Sequence, residues 1–227
     1  MSTGILAVWS DIAAEGEADY IAWYEREHMF ERLEVPGFRR ARHYETVRGS
    51  PRFFTWFELD TPAVVASPAY LAQANRSSAW TRRVLPHFRN TNRTAAVVLR
   101  RLGRGFGSAA LTLRMGIAND REGELVAWLS GDVLPTLVRE PGIVAGQLWR
   151  ADYAATFIEV VDRSLRHGPD EAADLTVFLE GTDISPLEAA LAGQLAAAPL
   201  AAHGALQPIA AIHRLVNGAE AGEAPPI

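Results

Sequence analysis

One histidine stands in the middle of a segment that otherwise reads as an amphipathic helix: Trp23-Tyr24-Glu25-Arg26-Glu27-His28-Met29-Phe30-Glu31-Arg32-Leu33. Imidazole titrates near neutrality, so His28 can take or give a proton. Tyr24, four residues earlier, shares its helix face and can orient the imidazole or a substrate. On the strand expected next, Arg42 and His43 are neighbours, and strand alternation sends them to opposite faces. One of the two is therefore expected at the site, where it would stabilise developing negative charge. Asn75, Trp80 and His87 lie in a polar stretch able to bind an oxygenated ligand, although Ser77 or Ser78 there reads equally as a helix cap. Trp9 and Trp56 could line an aromatic pocket or simply fill the core. The expected site is thus His28 and Tyr24 as catalytic pair, with Trp9, Arg42, His43, Trp56, Asn75, Trp80 and His87 around the ligand.

The same residue inventory excludes much chemistry. Cysteine is absent, which removes disulfides, thiol nucleophiles and thiolate metal ligands. All 22 basic residues are arginine, so no lysine Schiff base or P-loop lysine exists. Glu25-x-x-His28 has the spacing of a carboxylate di-metal ligand pair, but that site needs a second copy. Gly103-x-Gly105-x-Gly107 lacks dinucleotide-loop spacing, and no nucleophile elbow occurs. Neither metal nor cofactor is expected. A net charge of -5 disfavours nucleic acid as a partner. No apolar run is long enough to span a membrane, and the N-terminus lacks the pattern of a secretory leader. A cytoplasmic location is the expectation. Charge is uneven: residues 1–100 carry 13 Arg against 11 Asp and Glu, the remainder 9 against 16. That asymmetry favours packing of the halves on one another, or an anionic ligand in the first.

What positions His28 is a repeat. Ala22-Trp23 returns as Ala127-Trp128 and Pro36-Gly37 as Pro141-Gly142, both 105 residues on. The same shift pairs Leu6 with Leu111, Phe38 with Ile143, and Tyr44 with Trp149. It also sets Leu129 and Val133 against Tyr24 and His28, and Ser130 against Glu25, so the di-metal pattern is not repeated. Each copy reads as strand (about 4–10; 108–116), helix (16–34; 121–139), and a strand from Phe38 or Ile143. Then come a third strand (Phe53–Leu59; Leu175–Glu180), a second helix (63–85; 185–198) and a last strand (Thr94–Arg101; Ile209–Val216). This βαββαβ order is the split βαβ plan. It covers one sheet face with helices and leaves the other bare, so two copies can close face to face. The expected fold is α+β: tandem ferredoxin-like units at 1–102 and 107–217, a tail at 218–227, and an internal pseudo-dimeric barrel. The second copy carries 16 additional residues near 153–170, with a helix expected over Ala154–Leu165.

The spacing aromatic-x3-His-x7-Pro-Gly, from Tyr24 through His28 to Pro36-Gly37, resembles the EthD-like family of the dimeric α+β barrel superfamily. Tyr24 stands where that pattern often has Trp. The resemblance implies a ligand between sheet and helices of one unit. It also implies cofactor-independent proton-transfer, lyase, isomerase or monooxygenase chemistry on an aromatic, lactone or polyketide-like substrate. Since the second copy lacks the pair, one site is expected, with the other half as structural partner. The alternative is a non-catalytic small-molecule-binding or stress-type protein of the same fold. A lesser alternative is a haem-binding tandem protein of the chlorite dismutase type, with His167, His203 or His213 as axial ligand. Helix faces left outside the barrel leave room for a homodimer.

Overall fold

The computed structural model describes residues 3–222. Strands β1 (Gly4–Ile12), β2 (Phe38–Arg48), β3 (Phe53–Leu59) and β4 (Phe88–Gly103) belong to the first unit, and β5 (Ala109–Ile117), β6 (Ile143–Ala151), β7 (Leu175–Gly181) and β8 (Ala205–Glu220) to the second. All neighbours are antiparallel, and the sheet closes in the order β1-β3-β2-β8-β5-β7-β6-β4. Two strands make the closure. β4 pairs with β1 over Phe88–Val97 and with β6 over Ala96–Gly103. β8 pairs with β5 over Ala205–Arg214 and with β2 over Ile212–Glu220. Each 16-residue strand thus belongs to both halves. The last three residues of β8 lie in the stretch expected as tail; Ala219 is buried and pairs with Ala41.

Alternation along each strand builds two kinds of core. Inward residues fill the barrel: Ile5, Ala7 and Trp9 of β1 meet Tyr44, Phe54, Trp56, Trp149 and Phe178. Trp9 stacks on Phe54, and Trp149 on Phe178. Outward residues pack under helices. In the first unit α1 (residues 17–33) sets Tyr20, Trp23, Tyr24, Met29 and Leu33 on Leu6, Phe53, Phe57 and Leu59. In the second, α4 (residues 122–137) sets Leu125, Leu129, Val133 and Leu137 on Leu111, Leu113, Leu148 and Leu179. Gly37 and Gly142, at equivalent turns after these helices, have φ of 99° and 88°, which only glycine adopts without strain.

Both long helices contain a π-helical turn, at Tyr24–His28 in α1 and Leu129–Val133 in α4. The positions are 105 residues apart, matching the repeat. Such turns often mark functional sites, but here the second unit keeps one with aliphatic residues. The turn is therefore a property of the fold, and the histidine is an addition to it.

Three helices expected as continuous are broken. The 63–85 segment becomes a 3₁₀ turn (Pro62–Ala66), α2 (Pro68–Ala74) and α3 (Ala79–Val84). Ser67 caps α2, and Ser78 caps α3 by accepting from the Thr81 N–H at 2.9 Å. The 185–198 helix ends at Gly193, giving α7 (Ile184–Ala192) and α8 (Ala197–Ala202). The inserted helix is two single turns, α5 (Tyr153–Thr156) and α6 (Val161–Ser164). Between them Ile158 and Val160 join Thr156 and Val161 in a β-branched stretch that opposes helix propagation.

Candidate functional site

The π-helical turn of α1 holds His28 over the outward face of β1, β3 and β4. A closed cavity of about 20 Å³ lies there, room for roughly one water. Trp23, Tyr24, Phe57 and Phe88 form its aromatic wall, and His28, Arg32, Tyr70 and Arg93 its polar wall. Its roof comes from the other half of the chain: Val160, Asp162, Arg163 and Arg166, all in the insertion between β6 and β7. The site of the first unit is completed by the second.

His28 is 9% exposed. Its ring stacks on Trp23 at 3.9 Å and meets Tyr24 edge-on at 5.2 Å. Nδ1 is buried with no hydrogen-bond partner; the nearest carboxylate oxygen, of Glu31, is 3.9 Å away. Burial, then the nearby Arg32, hold the imidazole well below its ordinary pKa, with Arg166 adding to this and Asp162 opposing it. His28 is thus neutral at pH 7, the form that accepts a proton. Tyr24 is buried and its phenol is pushed up by burial. Behind it His43 stacks flat on the Tyr24 ring at 4.6 Å, with Nδ1 2.8 Å from the Thr55 hydroxyl. Burial lowers His43 to about 3.

Four arginines surround the cavity. Arg32 pairs with Asp162 at 2.5 Å and donates to Gln73 at 3.2 Å; Ser77 donates to the other Asp162 oxygen at 2.6 Å. Arg163 and Arg166 share Asp170, at 3.0 and 2.8 Å. The Arg166 guanidinium sits 5.3 Å over the Phe88 ring, and its Nε has no partner. Arg93, 2% exposed, donates to the Thr156 carbonyl at 2.9 Å and to the Tyr70 hydroxyl at 3.1 Å. Burial alone would raise the Tyr70 phenol, but Arg93 and Arg32, with the Arg93 hydrogen bond, outweigh it and the net shift is downward.

The expected site residues separate cleanly. His28 and Tyr24 line the cavity, and His43 backs it one layer deeper. Arg42 takes the opposite strand face and is half-buried, with its guanidinium 4.5 Å over the exposed Phe106 ring. Trp9 and Trp56 point into the barrel; Trp9 donates to Thr112 at 3.1 Å, and Trp56 lies 6.3 Å from Trp149. Asn75 is at the rim, accepting from the Val161 N–H at 2.9 Å. Trp80 donates to Asp19 at 2.9 Å on the outside of the helical layer. His87 packs over Gly16, 3.9 Å from Glu15. Sequence reasoning passed over Arg32, Tyr70, Arg93 and the arginines of the insertion. Arg32 alone carried a local signal: it lies four residues after His28, as His28 lies four after Tyr24.

The histidines do not fit a haem axial ligand. His213 lies inside the barrel with both ring nitrogens committed, Nδ1 2.9 Å from Thr46 and Nε2 2.9 Å from Thr112. Thr46 donates its own proton to the Pro51 carbonyl, so His213 Nδ1 carries hydrogen and Nε2 accepts. His203 stacks on Trp128 at 4.0 Å with Nδ1 2.9 Å from the Pro199 carbonyl, and His167 lies on the exposed outer side of the insertion. Among the described residues no group of His, Asp and Glu is arranged to hold a metal ion, and no helix is long and apolar enough to cross a membrane.

No family model matches the chain, and no curated protein matches it in sequence. Solved structures do match in fold. An anthrone oxidase-like protein superimposes with a TM-score of 0.67 at 14% identity, covering 98% of this chain and 94% of its own. A candidate monooxygenase from Lactobacillus acidophilus NCFM gives 0.57 at 7% identity, covering 99% and 100%. A haem-binding protein from Thermus thermophilus gives 0.55 at 11%, covering 95% and 92%. At these identities the likeness is one of fold: this chain is a tandem pair of ferredoxin-like units closed into a single α+β barrel.

Proposed function

We propose that the first unit binds a small aromatic or polyketide-like molecule between α1 and its sheet, under the roof formed by residues 152–171. The observation that carries this reading is His28. It is a nine-tenths buried imidazole with a free Nδ1, set among aromatic rings where the duplicate has Val133. A buried polar atom left unpaired costs about 1–3 kcal/mol, and a ligand that meets it recovers that cost. The fold likeness to an anthrone oxidase-like protein and to a candidate monooxygenase supports a small-molecule role for this fold.

Proton transfer of the EthD-like type is the second reading, and the neutral state of His28 favours it. The imidazole would take a proton from an acidic carbon or phenol, and the neighbouring arginines would stabilise the resulting oxyanion. A thermal-shift panel of aromatic acids, lactones and tricyclic phenols, followed by mass-spectrometric turnover assays, tests both readings. A compound that raises Tm by several degrees and is unchanged after incubation supports binding alone. Conversion that disappears in His28→Gln supports catalysis. A panel without any Tm shift removes the site.

A further inference from the structure

We infer that the ligand of the first unit is an anion, a small aromatic body bearing one carboxylate, phenolate or enolate, seated against Arg93 and Arg166. This rests on the small-molecule reading above and narrows its chemistry. Four guanidinium groups, of Arg32, Arg93, Arg163 and Arg166, surround the cavity. Among the described residues only three carboxylates reach these groups or His28: Asp162, Asp170 and Glu31. The balance is one positive charge in a cluster whose inner members, Arg32 and Arg93, are buried, which favours the arrival of a counter-ion. The deficit is local. Asp162 answers Arg32, and Asp170 is shared by two arginines. Arg93 is fully buried and is met only by neutral oxygens, those of Tyr70 and Thr156. The unpartnered Nε of Arg166 and the unpartnered Nδ1 of His28 line the same cavity. An oxyanion beside Arg93 and Arg166 would accept a charge-assisted hydrogen bond from the unpartnered Arg166 Nε–H, with neutral His28 lining the same cavity as proton acceptor.

The duplicate supports the assignment by contrast. At the repeat shift, Tyr24, His28 and Arg32 correspond to Leu129, Val133 and Leu137, which are ordinary core. Charge lies on one side only, together with an insertion that carries two more arginines. A route for the ligand is also visible. Val160 and Arg163 line the closed cavity on one side and, on the other, an outer cleft of about 620 Å³, a ligand-sized volume. Displacing these two side chains joins the two spaces.

The test uses the full chain and a matched pair of probes, 2-naphthoate and 2-naphthamide, which share shape and differ in charge. Thermal shift and calorimetry should show naphthoate binding and naphthamide at least about ten-fold weaker. Arg166→Met and Arg93→Met should each weaken naphthoate by about ten-fold or more, while the exposed Arg139→Met leaves it unchanged. The pair on the unaltered chain decides even where Arg93→Met does not fold. Equal binding of the two probes overturns the anion assignment and leaves the small-molecule site standing. Binding of neither, with benzoate and an anthracene carboxylate also silent, overturns the site itself and the anion assignment with it.

Discussion

His28 and Val133 are the same place in two copies of one unit, and the difference between them isolates what the imidazole adds. Valine at this position is proven core in the second half, fully compatible with a π-helical turn. His28→Val removes an unpaired polar atom, worth about 1–3 kcal/mol, and gives up the stack on Trp23. The two nearly offset. The variant should keep its unfolding free energy, read from urea titration, within about 1 kcal/mol of the parent and lose any ligand-induced rise in Tm. A loss above about 3 kcal/mol would show instead that His28 holds the fold. On the anion reading, a bound ligand would offset Arg32 and Arg166, the charges that add to burial in holding His28 low, and would shift the imidazole upward. At this scale the sequence was readable only where the helix rule applies. Tyr24 and His28 declared themselves by their four-residue spacing. Arg32 obeys the same spacing, but arginine on a helix ordinarily reaches solvent. Arg93 on a strand reads the same way, and nothing local shows that Thr156 and Tyr70 will enclose it.

Among the elements, the insertion between β6 and β7 matters most. Its length was legible as the step in the repeat offset, but its destination was not, because docking across the barrel is set by contacts distant in sequence. It is held by polar links, Arg32 and Ser77 to Asp162, Asn75 to the Val161 N–H, Thr156 to Ala95 and Arg93, and Glu171 to Thr91 and Arg93, and by Ala155, Val160, Ile158 and Leu165 packed into the first unit's core. The rest of it is loop and single helical turns. Replacing residues 153–170 by a turn as short as that between β2 and β3 should leave the barrel and its far-UV spectrum intact. Acrylamide quenching of tryptophan should rise, because Trp23 lines the cavity and loses its cover. Affinity for aromatic anions should fall by at least about ten-fold, since Arg163 and Arg166 leave with the segment. An unchanged quenching constant would show that the insertion is not the roof. The helix breaks show the complementary lesson: the cap at Ser78 was legible in the sequence, whereas the break at Gly193 was concealed by apolar periodicity on either side.

For the whole molecule, the barrel order and the face-to-face halves followed from the repeat, since a bare sheet face needs cover. The length of β4 and β8 did not follow, because pairing with the other half extends each strand beyond its own unit. Closure buries titratable groups, and this fixes the response to acid. His43 and His213 are lowered to about 3 by burial, and His28 is also lowered. The unfolded chain protonates such residues near pH 6.5. Below that pH the unfolded state binds more protons at these sites, so stability present above pH 6.5 is lost on acidification toward 3. Glu180, raised to about 7 by burial, works in the other direction between about 7 and 4.3, where the folded chain alone holds its proton. Glu31, also raised by burial, adds to this opposing contribution; the histidines still outnumber the two carboxyls, so stability should fall by roughly 1–3 kcal/mol per pH unit between about 6 and 5. Urea midpoints across that range check the slope, and a flat or inverted profile would mean that the buried histidines titrate normally. Finally, a barrel assembled from two identical chains would carry every loop twice, each lying over the other's cavity. Joining the halves in one polypeptide lifts that obligation. A single segment on one side can specialise as cover for the other while the reciprocal position fills with leucine and valine, so on the proposed reading the stoichiometry is one ligand per chain.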